Sequence, residues 1–134
     1  MDRETRDRGV VEEFRATNGK MNDGRPVVLI TVTGRRTGRR ILKPLVYLRD
    51  GDRLVIFGTK GGSPTHPEWY LNLAADPVVT VEVGDQRYEA RAVTLSGDER
   101  DRLWARQVAA MPNFGDYQAR TTRQIPVVAL ERIA

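Results

Sequence analysis

The sequence contains no cysteine and one histidine, His66. Without thiols there are no disulfides and no thiolate nucleophile. A lone imidazole excludes a zinc site built from several histidines, so no metal is expected. Long apolar runs are missing too: stretches such as Val27-Val28-Leu29-Ile30 reach about four residues, against the roughly 20 that a membrane-spanning helix needs. The N-terminus, Met1-Asp2-Arg3-Glu4-Thr5-Arg6-Asp7-Arg8, has no apolar core of the kind that marks a secretory leader. These absences point to a cytoplasmic protein with no transmembrane segment. Familiar catalytic signatures are also lacking. Gly34-Arg35-Arg36-Thr37-Gly38 has the wrong spacing for a phosphate-binding P-loop, and a strand pattern follows it rather than a helix. There is no G-x-G-x-x-G run, and His66 sits beside a proline rather than in a Ser-His-Asp arrangement. Most acids lie in turns or at helix starts, so no carboxylate pair in an apolar setting stands out.

What is present is concentrated in one stretch. Thr31 to Pro44 carries two glycines, Gly34 and Gly38, and five cations: Arg35, Arg36, Arg39, Arg40 and Lys43. Apolar runs lead into it (Val27 to Ile30) and out of it (Leu45 to Leu48), which is the pattern of a β-hairpin. Cations crowded at one tip repel each other, and a docked anion relieves that repulsion. The other reading of the same residues is a solvated tip. The whole chain has 134 residues, 40% hydrophobic and 30% charged, with a net charge of +4. This predicts one packed domain spanning 1–134 and a preference for anionic partners.

In chain order, residues 2 to about 18 read as a helix with a short stripe of Val10, Val11 and Phe14, leaving its start prone to fraying. Strand patterns follow at Val27–Thr33, Ile41–Arg49 and Arg53–Gly58, the last two joined at Asp50-Gly51-Asp52. Together these three predict a meander. Leu54, Val55, Ile56 and Phe57 are apolar in succession, as in a strand buried on both faces. Thr59-Lys60-Gly61-Gly62 comes next, with glycines that admit positive φ and close approach of a ligand. A helix is expected from Thr65, with Thr65 and Glu68 as a capping box, Trp69, Tyr70, Leu71 and Leu73 within it, and Asp76-Pro77 as its stop. Val78–Val83 and Arg87–Leu95 form a hairpin, and Ser96 to Met111 forms a helix with Leu103, Trp104, Val108 and Met111 on its apolar side. Phe114 to Gln118 reads as a short helix or loop, and Ile125 to Leu130 as a closing strand with Pro126 outside the ladder. The expected class is therefore mainly β with helices (α+β). Six mostly antiparallel strands can curl into a small barrel without exposed edges.

This inventory offers two anion cradles, Arg35–Lys43 and Lys60–Gly62, and aromatics, but little acid, base or nucleophile. It suits a protein whose chemistry belongs to a bound cofactor. It also suits a basic binding module, although no aromatic is interleaved with the arginines to stack nucleic-acid bases, so none is expected as a partner.

Several motifs in fixed order add to this. They are Glu13-Phe14-Arg15, Thr33-Gly34-Arg35-Arg36-Thr37-Gly38, Pro44-Leu45, Lys60-Gly61-Gly62, His66-Pro67-Glu68-Trp69-Tyr70-Leu71-Asn72-Leu73, Asp76-Pro77, Tyr117-Gln118-Ala119-Arg120-Thr121 and Ile125-Pro126-Val127-Val128. Through them the chain resembles the deazaflavin-dependent nitroreductase family, small enzymes that use coenzyme F420. The resemblance implies a six-stranded antiparallel split β-barrel related to FMN-binding barrels. It implies reduced deazaflavin against Thr59, Lys60, Gly61 and Gly62. The cofactor's phosphate and acidic tail would meet Arg35, Arg36, Thr37, Gly38, Arg39, Lys43 and Pro44, with Trp69 and Asn72 at its border. Met111, Phe114 and Tyr117 would line the substrate side. Of these only Tyr117 carries a hydroxyl that can donate a proton to the reduced acceptor, which makes it the candidate catalytic residue; the other reading is a ring that packs in the pocket wall. The implied activity is hydride transfer to a small electron acceptor: an enone, a quinone or a nitro compound. Nitroimidazole-activating relatives carry more tyrosines over the segment matching Met111 to Tyr117, where this chain keeps only the Tyr117 hydroxyl. An FMN-dependent oxidoreductase on the same barrel, or a non-catalytic carrier of the cofactor, are the alternatives. A monomer or homodimer, and peripheral membrane contact through the N-terminal helix, remain open at this point.

Overall fold

The computed structural model describes residues 2–133. Helix α1 (Arg3–Thr17) is capped at its start: the Asp2 side chain accepts a hydrogen bond from the Thr5 N–H at 2.7 Å. Asn18, left-handed at φ 53°, ends it. The stripe lies where its spacing places it. Phe14 is buried with Met21, Val27 and Leu29, and Val10 and Val11 pack on the same cluster.

Seven strands follow: β1 (Val27–Thr33), β2 (Arg40–Val46), β3 (Leu48–Asp50), β4 (Arg53–Phe57), β5 (Val78–Val83), β6 (Gln86–Thr94) and β7 (Val127–Arg132). They form one antiparallel sheet in the order β2-β1-β5-β6-β7-β4-β3. Two expectations are corrected here. The strand expected over Ile41–Arg49 breaks at Tyr47, so the count is seven rather than six. Its first half pairs with β1, Val27 opposite Val46. Its second half pairs with β4, Leu48 opposite Val55. The three segments still pair antiparallel in chain order, but the meander is split at Tyr47 rather than continuous, so its two halves lie at opposite ends of the strand order, and β7 lies between β6 and β4. The physical reason is closure. A twisted sheet that curls on itself must bend one strand so that it serves both edges. The two ends of the strand order are consecutive pieces of one segment, hinged at Tyr47, whose N–H donates to the Pro26 carbonyl at 3.0 Å.

The interior of the curl is filled from alternate positions: Val28, Ile30 and Val32 of β1, Leu54 and Ile56 of β4, Val128 and Leu130 of β7. Trp69 and Leu73 of α2 (Glu68–Ala75) pack against the same cluster. The intervening residues Val55, Phe57, Val127 and Ala129 pack under α3 (Gly97–Ala110) and α4 (Asn113–Ala119), with Leu103 and Phe114. That is why β4 is apolar at every position from Leu54 to Phe57. Each such buried aliphatic contributes about 1.5–3 kcal/mol relative to exposure.

The capping box expected at Thr65 and Glu68 is also corrected. α2 starts after Pro67, which stays extended at φ −66° and ψ 151° and has no side-chain cap. The Pro67 carbonyl takes the first helical hydrogen bonds, from Tyr70 at 3.1 Å and Leu71 at 3.3 Å. Thr65 accepts from Lys60 Nζ at 3.1 Å instead, and Glu68 turns to Arg35.

Candidate functional site

β2 has a laddered neighbour on one side only, which tolerates Pro44 despite its missing N–H. Its free side opens onto a cleft bounded by α1, the Lys60–Gly62 turn, the start of α2 and the start of α4. The cleft has two adjoining lobes of about 430 and 600 Å³, which share Lys43, Pro44, Lys60, Pro67 and Trp69. The first lobe is also lined by Thr59, Gly61, Met111, Phe114 and Tyr117. The second is lined by Ile41, Leu42, Glu68 and Asn72. A wider depression of about 950 Å³ lies elsewhere, at Arg49–Arg53 and Glu131–Ile133. It contains none of the expected site residues, and Arg53 spans it in ion pairs with Asp50, Glu99 and Glu131.

The Lys60–Gly62 turn carries three successive left-handed residues: Lys60 at φ 44°, Gly61 at 63° and Gly62 at 81°. For Lys60 this costs about 1–2 kcal/mol. The two glycines have different tasks. A Cβ on Gly61 would meet nothing within 4 Å, so this backbone is open to the cleft. A Cβ on Gly62 would lie 2.5 Å from the Tyr117 carbonyl oxygen, and Gly62 is buried. At Gly62 the close approach is made by α4. Of the two, only Gly61 lines the cleft.

The arginine hairpin is divided by its partners. The Arg35 backbone N–H and its Nη1 both donate to Asn72 Oδ1, at 3.1 and 2.8 Å, and Nη1 also donates to Glu68 Oε2 at 2.7 Å. Because Arg35 only donates, it fixes the amide oxygen of Asn72 toward itself. Lys43 pairs with Asp7 of α1. Arg40 donates to the hydroxyls of Thr33 and Thr80 at 2.8 and 2.7 Å. Arg36 and Arg39 are exposed, and neither guanidinium has a hydrogen-bond or ion-pair partner among the described residues. Thr37 and Gly38 shape the tip: Gly38 N–H donates to Gly34 O at 2.8 Å, and Arg39 N–H to Thr37 Oγ1 at 3.2 Å. Arg35 to Arg39 do not line the two lobes; Arg35 reaches their edge through Glu68 and Asn72. The Arg35 bond holds the Glu68 carboxyl below the usual carboxylate range, with Arg36 and Lys60 adding to the effect.

In the first lobe, Tyr117 Oη accepts from Asn113 Nδ2 at 3.0 Å. Its ring packs against Phe114 with centroids 5.4 Å apart, and the Arg120 guanidinium lies 5.8 Å from its centroid. With one lone pair taken by Asn113, the phenol proton is available to the cleft. Met111 and Phe114 contribute apolar wall.

Sequence reasoning missed three participants. Asp7 and Arg3 of α1 line both lobes, so the helix is a wall of the site and not only a packing element. Arg123, from the connection between α4 and β7, grips the Lys60–Gly62 turn through four contacts. No local signal marks it, since Thr122-Arg123-Gln124 reads as an ordinary polar loop. One of its contacts is His66 Nδ1, at 2.9 Å. An arginine cannot accept, so Nδ1 carries the lone pair and the imidazole proton sits on Nε2. Burial, and then the Arg123 charge, push the His66 pKa below its ordinary value.

The two lobes therefore offer an open backbone turn at Gly61, an aromatic face at Trp69, a cationic hairpin beside them and an apolar wall with one phenol. That set fits a flat redox cofactor with an anionic tail. The curled sheet and this cleft together define a split-barrel, cofactor-dependent oxidoreductase. Residues 4–132 match the F420H(2)-dependent quinone reductase family, and the chain belongs to that family. Its cofactor is accordingly coenzyme F420, and it is a deazaflavin-dependent oxidoreductase. An F420H(2)-dependent quinone reductase of Mycobacterium tuberculosis is 38% identical over 128 residues, covering 89% of this chain and 85% of that protein. A solved F420-H2 dependent reductase, FDR-A, is 39% identical with a TM-score of 0.74, covering 80% of this chain and 95% of that one. Another solved structure, described as a domain-swapped dimer, is 36% identical with a TM-score of 0.75, covering 90% of this chain and 94% of that one. Among the described residues no helix is long and apolar enough to cross a membrane.

Proposed function

We propose that the protein reduces a quinone by hydride transfer from reduced F420; Gly61 and Trp69 would hold the deazaflavin, and Met111, Phe114 and Tyr117 would line the quinone's side of the same lobe. When bound, reduced F420 supplies a hydride, and two-electron transfer suits a quinone. The observation that carries the reading is that Lys60, Gly61 and Trp69 line one cavity together with Met111, Phe114 and Tyr117.

The chain's own residues then have distinct tasks. Arg36 and Arg39, uncommitted to carboxylates, attract the phosphate and acidic tail, with Lys43 and Pro44 beneath. Asn72, held by Arg35, borders the cofactor with its amide nitrogen. Trp69, Met111 and Phe114 line the lobe with apolar surface and would exclude water from the bound cofactor and acceptor. The Tyr117 phenol, which lines the lobe, would donate its proton to the acceptor oxygen. Phe114 brings no hydroxyl, which favours a quinone or enone over a nitroimidazole.

The test is a titration of purified protein with F420 and with FMN, followed by steady-state oxidation of reduced F420 by a naphthoquinone. Micromolar or tighter F420 binding, much weaker FMN binding and turnover with the quinone are expected. Equal affinity for the two cofactors would overturn the site assignment. Tight F420 binding with no turnover of quinone or enone would instead make the protein a carrier.

A further inference from the structure

The three left-handed residues of the Lys60–Gly62 turn need support, because an isolated chain would not hold them. The support converges on one side chain. Arg123 Nε donates to Ser63 O at 2.8 Å, Nη1 to Gly58 O at 3.0 Å, and Nη2 to Thr59 O at 2.8 Å. Nη1 also reaches His66 Nδ1 at 2.9 Å. Gly58 and Thr59 precede the turn, and Ser63 and His66 follow it. A single planar fork thus bridges both ends. Arg123 has no carboxylate among its described partners, so its charge is offset by carbonyl dipoles that would otherwise point at one another. Its own backbone is held in turn by α4. Gln118 Nε2 donates to the Arg123 carbonyl at 2.8 Å, while Gln118 Oε1 accepts from the Ile125 N–H at 3.0 Å.

We propose that Arg123 is the positioning residue of the cofactor platform: by bridging Gly58, Thr59 and Ser63 it holds Lys60 and Gly61 in the geometry against which F420 docks. The proposal rests on the assignment of this turn to F420. Arg123 itself does not line either lobe of the cleft, so its action passes through the turn backbone. A lysine in its place keeps the charge but offers donors from one point, and cannot span both ends of the turn.

The experiment compares Arg123→Ala, Arg123→Lys and the parent protein in two measurements. The first is amide hydrogen exchange without cofactor, which reads the hold on the turn alone. Faster exchange confined to residues 59–66, with the β1, β5 and β6 ladders still protected, is expected in both variants. The second is F420 affinity by titration, expected to fall about 10–100-fold in Arg123→Ala and less in Arg123→Lys, the scale of lost charge-assisted hydrogen bonds. Unchanged exchange at the turn overturns the proposal. So does exchange accelerated throughout the sheet, which would make Arg123 a general stabiliser. Faster exchange at the turn with parental F420 affinity also overturns it, because the turn would then not be the platform. Should Arg123→Ala fail to fold, Arg123→Lys decides on the same two measurements. If the parent protein does not bind F420, the site assignment fails and the proposal with it, whatever the exchange data show about the loop.

Discussion

A Cβ on Gly62 would stand 2.5 Å from the Tyr117 carbonyl oxygen and 2.9 Å from the Arg120 Cβ. Gly62 and Tyr117 therefore lock the Lys60–Gly62 turn, the proposed cofactor platform, to α4, which carries the proposed substrate wall. The two halves of the proposed site share one van der Waals contact, so a change at Gly62 is felt on both sides.

Gly62→Ala is expected to destabilise the protein by about 2–4 kcal/mol, combining the left-handed backbone penalty with overpacking against α4. Gly61→Ala meets no atom within 4 Å. It should cost only about 1–2 kcal/mol of stability, while weakening F420 binding by obstructing the open backbone. Denaturant unfolding and F420 titration of both variants separate the effects. Equal destabilisation would refute the division of labour between the two glycines.

Arg36→Ala should weaken F420 binding by roughly 1–3 kcal/mol while stability stays within about 0.5 kcal/mol of the parent. Arg35→Ala should weaken binding as well, but it also frees Asn72 and Glu68, so its melting temperature should drop. Raising ionic strength should loosen the parent complex and affect Arg36→Ala less. Unaltered affinity in both variants would return the hairpin tip to a merely solvated role.

Tyr117→Phe removes the phenol from the proposed substrate wall it forms with Met111 and Phe114. Quinone turnover should fall about 10–100-fold, near the lower end for general acid catalysis, with F420 affinity unchanged. Phe114→Tyr should raise reduction of a nitroimidazole by adding a second donor. A parental rate in Tyr117→Phe would mean that the phenol only packs and that the proton comes from water.

His66 sets a pH dependence. Its pKa is depressed in the folded protein, chiefly by burial and then by Arg123. The unfolded chain, with an ordinary histidine near 6.5, then binds more protons in the window below that value. Stability is therefore present above about pH 6.5 and declines as pH falls toward the folded pKa. Protonation also places an imidazolium against the Arg123 guanidinium, with the Tyr70 ring edge 5.1 Å away between centroids. Thermal melts from pH 7.5 to 5.5 should show a decline that His66→Gln lacks. Parallel curves for parent and variant would rule His66 out as the source.

Much of the fold was legible because it is written in local periodicity. β1, β5 and α3 fall within a residue or so of the apolar patterns that mark them, and the unbroken apolar run of β4 correctly announces burial on both faces. The break at Tyr47 was not legible. Nothing between Ile41 and Arg49 signals a turn, since the bend arises only when two distant strands, β1 and β4, claim the two halves of one segment. The cap at α2 was misplaced for a related reason. Thr65 and Glu68 have the right spacing, but Lys60 and Arg35 offer them better partners in space.

By itself the sequence determined the class of chemistry: with no cysteine, one histidine and a crowded arginine hairpin, this chain depends on a cofactor for redox work, and its ordered motifs identify which one. Only the tertiary structure decided how the arginines are apportioned. Arg35 is spoken for by Glu68 and Asn72, whereas the guanidinium groups of Arg36 and Arg39 have no hydrogen-bond or ion-pair partner among the described residues. It likewise decided that Gly62 faces α4, and that Arg123, 60 positions beyond Ser63, supports the turn. The reason is physical. Composition and periodicity are properties of neighbours along the chain, but a guanidinium chooses among the acceptors that folding brings within about 3 Å, and those come from segments the local pattern does not connect.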